Sequence, residues 1–208
     1  MQIYVLDTNF FFNLEIKSGF GNNPKEIIEA ITDYSRKLKK SKSAAFYMPP
    51  DIVKEMLTFV NENDDYVKNF LAEISIKAPE RSSVAFPSSN FYEMVQEIRE
   101  RSYRGLQIAE EEVDATATTM LKEGDLSKIE YQKKVGEHVT RLRERYRNAT
   151  RTKFLDSVAD LDVIVLAKEL NGYVVSSDEG VIRWARKFGV KEAVPQVLKQ
   201  QLDSLLLA

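Results

Sequence analysis

The stretch DSVADLDVIVLAKELNGYVVSSDEGVIRWARKFGV, residues 156–190, decides the fold of this chain. Its apolar spacing predicts a helix over residues 156–170, which ends at an Asn-Gly pair. The segment YVVSS predicts a short strand over residues 173–177, and an amphipathic helix follows over residues 178–188. A helix, a buried strand and a second helix in this order are typical of an α/β fold with a parallel sheet.

The same alternation fills the first 80 residues. An apolar run, QIYVL, ends in Asp7 and indicates a central strand that is buried on both faces. The remaining elements that we predict are a helix over residues 24–38, a strand over 44–48, helices over 51–61 and 65–71, a weaker strand over 74–77 and a last helix over 195–207. Together with residues 156–190, these elements suit a doubly wound parallel sheet.

A different pattern separates the two α/β parts. Residues 89–149 are rich in Glu, Lys, Arg, Ala and Leu and contain no proline, with one break near Gly124. Two long helices joined as a hairpin fit this composition. We therefore expect a domain made of residues 1–88 and 150–208, interrupted by a helical hairpin insertion over residues 89–149.

The composition restricts the chemistry that the chain can perform. It has no cysteine and a single histidine, His138, which excludes disulfides, thiolate sites and histidine clusters. There is no apolar run near the length of about 20 residues that spans a bilayer, and the first residues lack the pattern of a signal peptide. We expect a cytoplasmic protein with no membrane contact, in which any metal ion is held by oxygen ligands.

Four aspartates are the candidate catalytic and metal-binding residues. Asp7 and Asp178 each follow a predicted strand, where parallel sheets bind ligands at the carboxyl edge. Asp156 and Asp160 are four residues apart, which would place them on one face of a helix. Hard oxygen ligands favour Mg²⁺ or Mn²⁺. The alternative is structural: Asp7 and Asp178 could be turn residues, and Asp156 could be a helix N-cap.

Three further residues are possible accessories to this site. Glu55 begins a helix near the rim, although a plain surface glutamate has the same pattern. Thr8 follows Asp7 and could orient it. Asp162 would point away from Asp160 on a helix, which favours a role outside the site.

Positive charge is concentrated in one stretch, although the formal net charge of the chain is −2. From Lys128 to Lys153 there are nine basic and three acidic residues, a local charge of +6. The candidate RNA-binding residues in this stretch are Arg141, Arg143, Arg145, Arg147, Arg151 and Lys153. A strip that contacts phosphates and a merely solvated helix face are both compatible with this pattern.

The opening VLDTNFFFN resembles the first motif of PIN domains, and residues 156–190 resemble the signature of the HARP family of protein-only ribonuclease P, also labelled RNA ligase partner proteins. The resemblance covers nearly the whole chain. It implies a PIN-like three-layer α/β/α sandwich with a central parallel sheet and an inserted long helical hairpin. The catalytic aspartates of the family fall on Asp7, Asp156, Asp160 and Asp178.

The resemblance also implies a function: an endoribonuclease that removes the 5′ leader from precursor tRNA with Mg²⁺ or Mn²⁺ and no RNA subunit. It further implies a homo-oligomer that forms through the helical insertion. Two alternatives are another PIN ribonuclease, such as a toxin, and a non-catalytic RNA-binding partner of an RNA ligase. Toxins of this type are compact, so the long insertion disfavours the first alternative.

Overall fold

The computed structural model describes residues 1–155 and 157–207 of the chain. The strands are β1 (Gln2–Leu6), β2 (Ala44–Met48), β3 (Ser75–Ile76), β4 (Tyr173–Val175) and β5 (Lys191–Glu192). The helices are α1 (Asn9–Phe12), α2 (Pro24–Lys40), α3 (Pro50–Met56), α4 (Asp65–Glu73), α5 (Ser88–Glu123), α6 (Lys128–Thr150), α7 (Val158–Glu169), α8 (Glu179–Lys187) and α9 (Pro195–Leu207).

The described strands form one parallel sheet in the order β3-β2-β1-β4-β5. From β1 the chain first builds β2 and β3 on one side, and it later returns to build β4 and β5 on the other. The strand order therefore reverses between β1 and β4, where Leu6 is aligned with Val175. In open α/β sheets the crevice at such a reversal is the usual binding site.

Helices cover both faces of the sheet. Helices α2, α4 and α9 pack in one group, and α3, α7 and α8 pack in another. Helix α7 is apolar nearly all round and buries Ile164 and Leu166 completely, as expected for a helix enclosed by its neighbours. Trp184 and Phe188 lie in the core with ring centroids 5.5 Å apart. The expected α/β/α sandwich with a central parallel sheet and a long helical hairpin is confirmed.

Some predicted boundaries are wrong. Helix α7 begins at Val158 rather than at residue 156, because the side chain of Ser157 accepts the N–H of Asp160 and caps the helix. Helix α3 ends at Met56, five residues before the predicted end. The sequence did not predict α1 or β5, which are four and two residues long.

The chain divides into two compact units, residues Met1–Phe86 with Lys153–Ala208, and residues Pro87–Thr152. The second unit is the antiparallel pair α5 and α6. Ser127 and Glu130 form a reciprocal capping box that begins α6. A Cβ on Gly105 would lie 2.7 Å from the ring of Tyr146, so a larger residue at this position would displace that ring where α5 and α6 approach each other.

A buried carboxylate fastens the two helices of the hairpin. Glu112 of α5 accepts hydrogen bonds from Arg141 at 2.8 Å and from Arg145 at 2.7 Å, and His138 lies 3.7 Å away. The hydrogen bonds from the two guanidinium groups lower the pKa of Glu112 to about 2. His138 is thus a half-buried residue that packs in the hairpin. None of the helices in the described part of the chain combines the length and apolar character that a membrane crossing requires.

Candidate active site

Asp7 lies at the point where the sheet reverses its strand order. It follows Leu6 at the carboxyl end of β1, and its backbone N–H continues the ladder to the carbonyl of Val175 at 3.0 Å. Its side chain is 1% exposed. A carboxylate at this depth is unfavourable unless hydrogen bonds or a cation compensate its charge.

Ser176 provides one such hydrogen bond. Its hydroxyl donates a hydrogen bond to Oδ2 of Asp7 at 2.5 Å. The hydroxyl oxygen of Ser176 also accepts a hydrogen bond from the backbone N–H of Asp178 at 2.9 Å. Ser176 is itself 1% exposed. One hydroxyl therefore links the residue after β1 to the loop after β4. Ser176 was not predicted from the sequence as a site residue, although its place between a strand and Asp178 was the available signal.

The environment of Asp7 favours its neutral form. Burial raises the pKa of Asp7 to about 7, and the hydrogen bond from Ser176 opposes this rise. The negative charges of Asp160, Glu55 and Asp178 raise the pKa further. Asp160 lies on α7, Glu55 lies on α3 and Asp178 directly precedes α8. Three different elements therefore carry the negative charges that act on the carboxyl of Asp7. Perturbed carboxylates of this kind are concentrated at functional sites.

Asp178 is held in place by the helix that it caps. Its Oδ1 accepts the N–H of Gly180 at 2.6 Å and of Val181 at 3.1 Å, so Asp178 is the N-cap of α8. Oδ2 takes part in neither bond. Gly180 packs under the backbone of Phe154, where an added Cβ would lie 2.5 Å from the Phe154 carbonyl oxygen. The N-cap interaction therefore fixes Oδ1 of Asp178 and does not exclude a second role for Oδ2.

Asp160 lies in the first turn of α7, next to the Ser157 cap. Its side chain is half-buried, and its charge acts on Asp7. Asp156, the fourth predicted aspartate, lies outside the described residues.

The accessory candidates have separate roles. Glu55 is exposed on α3, yet its charge acts on Asp7, which places it near the site. Thr8 is buried, and its hydroxyl donates to the carbonyl of Ile52 at 3.4 Å, a long bond that connects the Asp7 loop to α3. Thr8 thus supports the loop that bears Asp7.

Asp162 belongs to an ion pair. Its two oxygens accept Nε of Arg81 at 3.0 Å and Nη2 of Arg81 at 2.8 Å. Asp162 is 5% exposed, and this bidentate pair satisfies its charge. The geometry makes Asp162 an anchor for α7, in agreement with the expectation that it points away from Asp160.

The predicted RNA-binding residues fall into different environments. Arg141 and Arg145 are engaged with Glu112 inside the hairpin. Arg143 and Arg147 are exposed on α6, offset by two positions from that pair. Arg151 is the C-cap residue directly after α6. Lys153 belongs to the other unit, where its ammonium lies 2.9 Å from Glu179.

The described carboxylates are near one another without forming a ready-made metal cage. Within residues 1–155 and 157–207, no three acidic or histidine side chains are drawn together as a complete metal-binding group. The chemistry of the donors still fits a hard divalent cation. The charges of three other carboxylates act on the buried carboxyl of Asp7, and all the available ligand atoms are oxygens.

Comparison with known proteins agrees with this architecture. The model of the PINc domain ribonuclease family matches residues 3–207. The RNA-free ribonuclease P of Thermodesulfovibrio yellowstonii is 35% identical over 97% of this chain and 94% of the relative. That of Pyrococcus furiosus is 32% identical over 98% and 94%. That of Nitrosococcus oceani is 35% identical over 99% and 96%.

These matches confirm the resemblance to protein-only ribonuclease P that the terminal motifs indicated. They extend over the α/β unit and the helical hairpin alike, so they do not depend on one shared motif. The chain is an endoribonuclease, and it belongs to the PINc-domain ribonucleases and, within them, to the RNA-free ribonuclease P family.

Proposed function

We propose that this protein is a divalent-metal-dependent endoribonuclease that removes the 5′ leader from precursor tRNA in the cytoplasm without an RNA subunit. The observation that supports it most is the buried Asp7 at the sheet reversal, whose pKa is raised to about 7 by burial and by the charges of three neighbouring acids. A cation would offset this unfavourable arrangement. The names of the relatives supply the class of reaction.

The proposed metal ligands are Asp7, Asp156, Asp160 and Asp178, and Glu55 is a further candidate at the rim. Mg²⁺ or Mn²⁺ suits these oxygen donors. When bound, such an ion supplies Lewis-acid activation of water and of a phosphate oxygen. The remaining steps depend on how the chain orients its own carboxylates.

Hydrogen bonds in the chain set that orientation. The bond from Ser176 fixes the rotation of the Asp7 carboxyl and favours its ionised form. The backbone of α8 fixes Oδ1 of Asp178. The Ser157 cap defines the first turn of α7, where Asp160 lies. Carboxylates held in this way on the ends of strands and helices are preorganised for a reaction that depends on positioning.

We propose that the hairpin binds the body of the substrate. Arg143 and Arg147 are exposed on α6 and are the candidates for phosphate contacts, with Arg151 directly after the helix as a further one, whereas Arg141 and Arg145 serve Glu112. Lys153 is a further candidate in the unit that bears the carboxylates. Contacts of this type position a folded RNA without reading its sequence.

We also propose that the protein is a homo-oligomer that forms through the insertion, residues 89–149. The hairpin leaves many large apolar side chains exposed, among them Tyr92, Val95, Tyr103, Val113, Leu121, Ile129 and Tyr131. Apolar surface of this extent is typical of a protein interface. Sedimentation of the purified chain tests this part of the proposal, since a monomer at micromolar concentration would contradict it.

The experiment that tests the function is cleavage of a precursor tRNA by purified protein with Mg²⁺. We expect two products, an intact leader and a tRNA that begins with a 5′-phosphate. Cleavage at scattered single-stranded positions would favour a toxin-like ribonuclease. Binding without any cleavage, in the presence of Mg²⁺ or Mn²⁺, would favour a non-catalytic partner of an RNA ligase.

A further inference from the structure

A cavity of about 440 Å³ opens beside the carboxylates, between the end of β4, the start of α8 and the segment that leads into α9. Ile182, Val194 and Pro195 give it apolar walls. Its charged lining comprises Lys153, Arg183 and Arg186 together with Glu179 and Glu192. Ser176 lines the cavity and also donates to Asp7. The cavity and the proposed cleavage centre therefore share a wall.

We propose that this cavity receives the last nucleotide of the leader, the one directly 5′ of the scissile phosphate. Its base would pack against Ile182 and Val194, and its own 5′ phosphate would lie near Lys153 and Arg183. This inference rests on the proposed function and adds to it a site for one identified nucleotide of the substrate.

The size of the cavity limits its occupant. A volume of about 440 Å³ lies in the lower part of the range for small-ligand sites, which suits a single nucleotide. Only an unpaired nucleotide can turn its base out of a stack at low cost. In a precursor tRNA the nucleotide 3′ of the cut is paired in the acceptor stem, whereas the leader is single-stranded. The last nucleotide of the leader, rather than the first nucleotide of the mature tRNA, is therefore the one that can enter the cavity.

The charged residues of the cavity can exchange partners. Lys153 is paired with Glu179 at 2.9 Å, but the two side chains are 60% and 70% exposed. Exposed ion pairs contribute little free energy, so the Lys153 ammonium can turn from Glu179 to a phosphate at little cost. Arg183 donates from Nη1 to the carbonyl of Lys153 at 3.2 Å, which connects the two basic residues of this wall.

The apolar walls explain what the cavity would select. Ile182 is half-buried and Val194 is 41% exposed, so both present aliphatic surface that a flat base can cover. The hydroxyls of Ser176 and Ser177 already donate to Asp7 and to the carbonyl of Asn9, so neither has a proton left with which to distinguish one base from another. The cavity therefore recognises that a nucleotide is unpaired and accepts either a purine or a pyrimidine.

The test uses precursor tRNA with or without the base of the last leader nucleotide, and the variants Val194→Trp and Val197→Trp. Val194 and Val197 are both 41% exposed, but only Val194 lines the cavity, so Val197→Trp is the matched control. We expect wild-type protein to cleave the abasic substrate about tenfold more slowly than the intact one. Val194→Trp should slow cleavage of the intact substrate by a similar factor and leave cleavage of the abasic substrate unchanged, whereas Val197→Trp should behave like the wild type.

A binding measurement without metal separates this inference from the proposed function. With 2-aminopurine as the last leader base, fluorescence should change on binding to wild-type protein in EDTA and should not change with Val194→Trp. If wild-type protein cleaves intact and abasic precursor tRNA at the same rate and the fluorescence does not depend on Val194, the cavity inference is wrong and the function stands. If the fluorescence depends on Val194 but no leader is released with metal, the function is wrong and the cavity stands.

A second variant guards against a folding defect in Val194→Trp. Ile182→Ala removes apolar surface from the same wall without adding bulk. It should also reduce the difference between the intact and abasic substrates, by slowing only the intact one. An unchanged tenfold difference in Ile182→Ala, together with equal slowing of both substrates by Val194→Trp, would overturn the assignment.

Discussion

The hydroxyl of Ser176 donates a hydrogen bond of 2.5 Å to Oδ2 of Asp7, so the residues that follow β1 and β4 are joined at the reversal of the sheet. Ser176 also accepts the N–H of Asp178. The two carboxylates at the ends of neighbouring strands are therefore oriented through one buried side chain. A change at Ser176 should alter the chemistry of Asp7 without removing any proposed metal ligand.

Replacing Ser176 with alanine should raise the pKa of Asp7, because the hydrogen bond that it removes stabilises the ionised carboxylate. Carboxyl ¹³C chemical shifts followed against pH in the metal-free protein measure this directly. Ser177→Ala is the control, since that hydroxyl donates to the carbonyl of Asn9 instead. Titration of Asp7 at the same pH in Ser176→Ala and wild type would show that the bond has no influence.

The stability of the metal-free protein should fall as pH rises toward 7. Asp7 has a pKa of about 7 in the folded chain and about 4 when unfolded, so the folded state binds more protons between these values. Asp7→Asn removes this effect. Above pH 7 the variant should be more stable than wild type by a free energy on the order of a few kcal/mol, and the difference should shrink toward pH 4.

Chemical unfolding in EDTA at several pH values checks this, with the exposed Asp65→Asn as control. Mg²⁺ at pH 8 should raise the Tm of wild type and leave that of Asp7→Asn unchanged, because only the ionised site binds the ion. If the wild type is more stable to unfolding than Asp7→Asn in EDTA at pH 8, burial does not destabilise the ionised form of Asp7.

The ion pair of Arg81 and Asp162 should hold α7 in place. Asp162 is nearly buried, so Arg81→Ala leaves a carboxylate without its bidentate partner. We expect the Tm to fall by several degrees. Lys54→Ala breaks the exposed pair with Asp51 and should change the Tm by no more than about 1 °C. If Arg81→Ala and Lys54→Ala change the Tm equally, the ion pair of Arg81 and Asp162 contributes no more stability than a surface ion pair.

The two arginine pairs of α6 should separate RNA binding from hairpin stability. Replacing Arg143 and Arg147 with alanine should weaken binding of precursor tRNA and reduce the slope of log affinity against log salt by about 1 for each phosphate that is no longer neutralised. Replacing Arg141 and Arg145 should mainly lower the Tm, because Glu112 then lies buried without its partners. If replacing Arg143 and Arg147 leaves the salt dependence of binding unchanged, these residues form only a solvated helix face and do not contact phosphates.

Several elements could be predicted from the sequence because their signals are local. The strand Ala44–Met48 and the helix Pro195–Leu207 have the predicted bounds, since each is delimited by its own apolar pattern and an adjacent proline. The start of α7 was predicted too early, because Ser157 rather than an aspartate caps it. The strand Lys191–Glu192 has no apolar pattern, and its pairing with β4 defines it.

The candidate site was predictable only in part for a similar reason. Asp7 and Asp178 could be placed because each follows a strand of the sheet. The bond from Ser176 to Asp7 joins residues 169 positions apart, and the bonds to Glu112 join residues 29 and 33 positions apart. Such bonds depend on the register between elements, which composition and periodicity do not specify.

The most direct test of the proposed carboxylate site is single-turnover cleavage of precursor tRNA in Mg²⁺ by the wild type and by Asp7→Asn and Asp160→Asn, with RNA binding measured in parallel. Each variant should cleave more slowly by roughly three orders of magnitude or more and retain RNA binding, because the carboxylates act on the reacting phosphate rather than on the tRNA body. Cleavage at the wild-type rate in both variants would contradict the assignment of the carboxylate site.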